Sequence, residues 1–456
     1  MQIASDFGGS WNVQTGFEFD DLSNTGSADL RVAMSRLSPL TEYYIKSVLP
    51  WVGGNSPDII GFSIASPSQL IPSAQLVWLL RKAGFIGSIV WGGNTVTRLS
   101  KSFKGLDWLF DIIDYLVVFQ GEEPFYQLVL ALQNGTVLRR VPNLIYKSRG
   151  KVEETATLPA PSPNSLNTPY FTGFPIGEYW GVNYLPLLAS RGCYYNKCSF
   201  CAIPYGYGNN GFTGFRHASK VVNDIVQLID RHKINRFKFV DEALSPRGMM
   251  DIAQNILSLD LQVEWEAYAR LENIWLDDSF LKTISRAGFK KAYFGLELVA
   301  GNSRKVLRKH DNAAQTYIIL NKCSEYGIKV HLFCMFGYPG TGLQEAEDTV
   351  EFVLENRGLV DTADFNAFTY SRHTNVEGIR KVSRPENDLV LEYKYTPLLP
   401  GILSYESVER LTAELEEIVW QSCPRLLHPT YRMVSPWGYQ PDRVKQSISM
   451  IDAIPS

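Results

Sequence analysis

The stretch SRGCYYNKCSFC, residues 190–201, decides how this chain is read. It gathers Cys193, Cys198 and Cys201 on one short loop, while Cys323, Cys334 and Cys423 lie apart. That distribution favours a metal over disulfides and points to a reducing compartment, the cytoplasm. Three thiolates on a tight loop can hold three irons of a four-iron cluster and leave the fourth open to a ligand that is not protein. An open iron orients a cosubstrate and passes it an electron. Other readings of the same cysteines are a structural zinc site, an electron-transfer cluster and ordinary buried thiols. Zinc would need a fourth Cys or His close by, and the nearest downstream histidine is His217.

The surroundings of the loop give it a place. Strand-like runs at residues 185–192, 236–242, 263–270, 291–297, 328–337 and 361–370 alternate with helix-like segments at 219–232, 277–287, 313–326 and 343–356. Such a series predicts an α/β fold with a partial (β/α)6 TIM-like barrel over 181–375, where function collects at the carboxyl ends of the strands. The cysteine loop follows the first strand and so belongs at the barrel mouth. Upstream, strands at 58–64, 88–93 and 114–119 alternate with helices and close with a hairpin at 143–152. This predicts a Rossmann-like parallel-sheet domain over 57–156. Residues 157–180, loaded with Pro, Ser, Asn and Thr, read as a linker, and 1–56 as an irregular segment. Residues 376–456 read as a helical and irregular extension, with a helix near 407–422 and the aromatics Trp437 and Tyr439 as candidate substrate-side groups.

At 456 residues the chain exceeds what one core usually organises, and 45% hydrophobic with 20% charged residues is an ordinary globular balance. A net charge of -3 supplies no general attraction for nucleic acid or anionic membranes. No apolar run is long enough to span a bilayer, so no membrane partner is expected. Residues 1–11 lack a basic region followed by an apolar stretch, so no secretory leader is expected.

With these residues in view, the chain resembles the radical S-adenosylmethionine (SAM) superfamily, in which three cysteines hold a [4Fe-4S] cluster and SAM chelates the unique iron. The usual spacing is C-x3-C-x2-C, and here it is C-x4-C-x2-C. The resemblance covers roughly 185–370 and implies further site residues. Phe200 would lie beside the adenine of SAM, with Gly337 and Pro339 of the GYPG turn on the same side. Asp241 and Glu242 would receive its amino group, Arg270 its carboxylate, and Glu297 would face the ribose or the amino acid end. The competing reading is that Asp241, Glu242 and Glu297 cap helices, the last of them one after Gly301, and that Arg270 pairs with Glu264 or Glu266. Tyr194, Tyr195, Tyr205 and Tyr207 either wall the site from water or simply pack. His310 and His331 read as surface and core residues. Gly206, Gly208 and Gly211, beside Asn209 and Asn210, read as a tightly turned loop rather than a phosphate cradle.

The upstream domain resembles the cobalamin-binding domain that precedes many such barrels, with Gly92, Gly93 and Gly121 at the matching strand ends. It lacks a D-x-H-x-x-G motif, hence a histidine for the lower face of cobalt, and a clear first strand before Pro57. The alternative is that these glycines only end strands. The resemblance implies reductive cleavage of SAM to a 5′-deoxyadenosyl radical, with flavodoxin or ferredoxin as electron donor and a small molecule or peptide as substrate. With cobalamin it implies methylation of an unactivated carbon, and without it a cyclisation or rearrangement. The non-enzymatic reading is a metal-stabilised binding or electron-transfer protein.

Overall fold

The computed structural model describes residues 26–427 except 37, 39, 180–182, 208–210, 300–306, 308–312 and 384–387, and also the backbone of three short paired strands, Gln2–Ile3, Trp11–Asn12 and Glu18–Phe19. In the first domain, strands β1 (Ile59–Ser63), β2 (Ser88–Gly92) and β3 (Tyr115–Val117) run parallel. Strands β4 (Leu144–Ser148) and β5 (Lys151–Glu154) complete the sheet antiparallel, in sequence order. Both faces are covered, as a parallel sheet requires. Ile89 and Trp91 pack with Ala74, Val77, Leu99 and Phe103, while Val90 on the other face meets Val117, Leu128 and Ala131. The run from Ser88 is therefore apolar throughout instead of alternating.

The segment expected to be irregular is partly helical. Helices Ser27–Ala33 and Leu49–Asn55 bring Leu30, Ala33 and Val52 into the same core. Their short apolar groups are too sparse to show a helical period before the sheet is known.

The second domain is an open, fully parallel six-stranded sheet: β6 (Leu185–Leu187), β7 (Arg236–Phe239), β8 (Glu264–Ala269), β9 (Phe289–Glu297), β10 (Lys329–Phe336) and β11 (Thr362–Ala367). Strand order follows sequence order, as in a partial TIM barrel. Phe237, Phe239, Trp265, Ala267, Ala292, Phe294, Val330 and Leu332 face the surrounding helices. The alternate positions carry Lys238, Glu266, Tyr268, Lys291, Tyr293 and His331 to the other face.

Two further differences bear on the site. Helix Pro246–Ser258, between β7 and β8, was not among the expected helices, though Met249, Ile252, Ala253 and Ile256 form its buried stripe. And the expected strand 185–192 is two elements. Leu185–Leu187 stays in the barrel sheet, while Ser190–Gly192 leaves it and pairs antiparallel with Phe212–Phe215. The extension also departs from a simple cap: Leu389 and Leu391 are buried in the core of the first domain. Asp388 accepts from the Ser27 N–H at 2.7 Å and from the Ser102 hydroxyl.

Candidate active site

The hairpin formed by 190–192 and 212–215 presents the cysteine loop at the carboxyl end of β6. Its departure from the barrel is fixed by Asp241, just beyond β7. The buried carboxylate accepts from the Ala189 N–H at 3.0 Å and the Ser190 hydroxyl at 2.5 Å. Burial pushes Asp241 up to about 6, against the pull of those hydrogen bonds. Gly192 follows with φ 80°, where a Cβ would stand 2.1 Å from the Gly211 carbonyl oxygen. Only glycine fits there.

Asn196, inside the four-residue spacer between Cys193 and Cys198, adopts a left-handed φ of 51°, which asparagine tolerates better than most residues. The spacer thereby turns back on itself. Burial and the neighbouring thiols of Cys198 and Cys193 push the Cys201 thiol up to about 12. A buried thiol such as Cys201 ionises more readily when a cation binds it. Among the described residues no three His, Cys, Asp or Glu side chains are placed to share one ion. What the structure shows is that Cys193 and Cys198 lie near enough to Cys201 to act on its thiol, as three ligands of one shared group would.

Around the loop the structure brings several expected residues together. Phe200 meets Tyr338 of the GYPG turn edge-on, ring centroids 6.4 Å apart. Gly337 has φ 78° and no room for a Cβ beside Val408, and its carbonyl accepts from the Tyr395 hydroxyl at 3.1 Å. Pro339 follows Tyr338 in that turn. Glu242 accepts from the Tyr207 hydroxyl at 3.1 Å, and burial raises its pKa. Glu297 closes β9 in the left-handed region, φ 59°, where the ladder with β10 slips by one residue. A non-glycine residue held there is strained by about 1–3 kcal/mol.

Arg270 does not pair with Glu264 or Glu266. Its Nε donates to Glu272 Oε1 at 3.0 Å, because Glu264 faces Arg236 and Glu266 faces Lys238. Tyr194 donates to the same Glu272 oxygen at 2.9 Å. A cavity of about 700 Å³ opens beside Cys198 and Cys201, with His373 and Asn375 on its far wall. His373 stacks on Tyr205 at 3.5 Å and lies 2.9 Å from the Arg98 carbonyl, and burial holds it down near 4, hence neutral. Neither Glu272 nor His373 was legible as a site residue, since each is defined by partners distant in sequence. His331 is buried, with Nδ1 2.7 Å from the Thr362 hydroxyl, in keeping with a core role. Gly208, Asn209, Asn210, Gly301, His310, Trp437 and Tyr439 lie outside the described residues.

The first domain meets the loop directly. Arg191 and Glu122 form a two-point ion pair, and a Cβ on Gly206 would stand 2.7 Å from Asn94 Oδ1. Gly93 has φ 99°, and a Cβ there would lie 2.6 Å from the Ile64 carbonyl oxygen, so the close approach of β1 already requires this glycine. A Cβ on Gly92 would stand 3.3 Å from the Val117 carbonyl oxygen, and one on Gly121 3.7 Å from the Val117 side chain. All three glycines therefore meet atoms of this chain's own strands, and packing within the chain accounts for Gly93 without cobalamin.

Comparison with known proteins agrees with this geometry. The Radical SAM superfamily model matches residues 187–353. The barrel of this chain therefore carries a radical SAM domain over those residues. It is 25% identical over 318 residues to an uncharacterized methyltransferase of Pyrococcus horikoshii, covering 69% of this chain and 67% of that protein. In fold it resembles the radical SAM methyltransferase TsrM of Kitasatospora setae, solved with tryptophan and a SAM analogue, at a TM-score of 0.64 and 15% identity over 82% of both chains. It also resembles the cobalamin-dependent enzyme OxsB, solved with aqua-cobalamin and SAM, at 0.64 and 15% identity over 82% of this chain and 60% of that one. Among the described residues no helix is long and apolar enough to cross a membrane.

Proposed function

We propose that this chain holds a [4Fe-4S] cluster on Cys193, Cys198 and Cys201, binds SAM beside it and methylates an unactivated carbon of a small molecule with cobalamin as methyl carrier. The observation that carries this reading is the three-thiol hairpin at the barrel mouth, where Cys193 and Cys198 lie near Cys201, meeting the carboxyl end of the first domain's sheet. Held by Cys193, Cys198 and Cys201, a reduced cluster would supply the electron for reductive cleavage of SAM to a 5′-deoxyadenosyl radical. Phe200 and Tyr338 wall the adenine side. Glu242 and Arg270 take the amino and carboxylate ends of SAM, and the strained Glu297 faces the ribose. Tyr194, Tyr205 and Tyr207 keep water from the reacting carbon. Methyl transfer is supported by the methyltransferases among the similar proteins and by the parallel-sheet domain docked on the loop.

A cobalamin-free cyclisation or rearrangement is the second reading. It is favoured by the self-sufficient packing of Gly93 and the lack of any histidine in residues 57–156. Flavodoxin or ferredoxin is the proposed electron donor.

Anaerobic reconstitution with iron and sulfide, followed by SAM and a strong reductant, tests the first step. Cluster absorbance and release of 5′-deoxyadenosine are expected, and Cys198→Ala should lose both. Stoichiometric zinc with no nucleoside release would sink the enzymatic readings. Corrinoid absorbance retained after incubation with hydroxocobalamin supports the methylation reading, and its absence leaves the second.

A further inference from the structure

Arg270, just past the end of β8, has its guanidinium in three contacts at once. Besides the bond to Glu272, its plane lies over the Tyr195 ring with Cζ 3.4 Å from the centroid, and Nη1 stands 3.9 Å from Cys198 Sγ. The side chain is only 12% exposed. Glu272 is fixed in turn by the Tyr194 hydroxyl, so two tyrosines of the Cys193–Cys198 spacer grip the pair from both ends. A guanidinium suits this position because it is planar, permanently charged and content to stack while it donates.

We propose that Arg270 is a positioning residue that sets the reduction potential of the cluster, through an N–H···S hydrogen bond to the Cys198 thiolate and through its charge, with Glu272 limiting how much of that charge the cluster feels. The proposal rests on the reading that the three cysteines hold the cluster. One electron passes from the external reductant to the cluster and no atom is transferred, so the reduced form carries one more negative charge. Hydrogen bonds to cluster sulfurs and nearby positive charge stabilise that form and raise the potential. At a site this enclosed the interaction is weakly screened.

Redox titration of the reconstituted full-length protein, followed by the electron paramagnetic resonance of the reduced cluster without SAM, tests this. Arg270→Gln should lower the reduced-to-oxidised ratio at a fixed potential by about tenfold, which is ~59 mV for a one-electron couple. Arg270→Lys, which keeps the charge but loses the fork, should fall between, and Glu272→Gln should shift the midpoint the opposite way. Identical midpoints in all four proteins, with only SAM affinity reduced in Arg270→Gln, would overturn the proposal and leave Arg270 a ligand of SAM alone. If Arg270→Gln loses its iron, the other two variants decide, and no shift in either overturns the proposal. A wild-type protein that never shows the reduced-cluster signal overturns the cluster reading and this proposal with it. A loaded wild type with unshifted variants overturns only the latter.

Discussion

Glycine substitutions at two left-handed positions separate close packing from backbone strain. Gly135 ends a helix at φ 62° with nothing near its missing Cβ, so Gly135→Ala should cost about 1 kcal/mol, from the dihedral alone. Gly93, at φ 99° and ψ 176°, lies in a region open essentially to glycine alone and adds a collision with the backbone of Ile64, so Gly93→Ala should cost at least about 3 kcal/mol in urea unfolding. Equal losses would mean that β1 yields freely. Inside the barrel, burial pushes Glu266 up to about 7 despite Lys238 and Lys291 nearby. Between its ordinary value of 4.5 and that figure the folded state binds more protons than the unfolded one. This carboxyl's contribution to stability therefore falls as pH rises through that window. Glu266→Gln should remove this slope, and a difference between wild type and variant that stays constant from pH 4.5 to 7 would refute the assignment. The cysteines and Gly93 were visible in the sequence because their chemistry or local pattern marks them. Glu266, Glu272 and His373 were not, because only the fold brings their partners together.

Among the elements, the hairpin that carries the thiols and the helix Pro246–Ser258 show how local signals mislead. Residues 185–192 read as one strand because their apolar content runs on, yet Asp241 draws Ala189 and Ser190 out of the barrel sheet. No pattern within the segment announces a carboxylate that arrives some fifty residues later. The overlooked helix opens on Leu244, Ser245, Pro246, Arg247 and Gly248, a sequence with the look of a turn. The Ser245 hydroxyl accepts from the Gly248 N–H at 3.0 Å and Pro246 stands at the first turn, both marks of a helix start. Ser245→Ala should destabilise the barrel by about 1 kcal/mol, and calorimetry that finds no change would show the cap to be idle.

For the whole molecule, the order of domains and the two sheets were legible, because strand and helix periods repeat at regular intervals along 57–156 and 185–370. The return of the chain to its first domain was not. Leu389 and Leu391, Asp388 against Ser27 and Ser102, and Glu392 against Arg98 at 3.0 Å tie the extension to residues 286 to 361 positions upstream. Leu391→Ala should cost about 2–4 kcal/mol and make the first domain the earlier target of a protease, with the barrel cut later. Barrel cleavage first would place the weak point elsewhere.

The bare abutment of Asn94 on Gly206 carries a lesson for anyone recombining such proteins. There the cysteine loop and the neighbouring domain touch through the tip of a side chain that can rotate away, while Arg191 and Glu122 pair beside it. A chimera that exchanges residues 57–156 for a foreign counterpart loses both Asn94 and Glu122, and carrying the hairpin 190–215 along as cargo keeps the two sides of that seam matched.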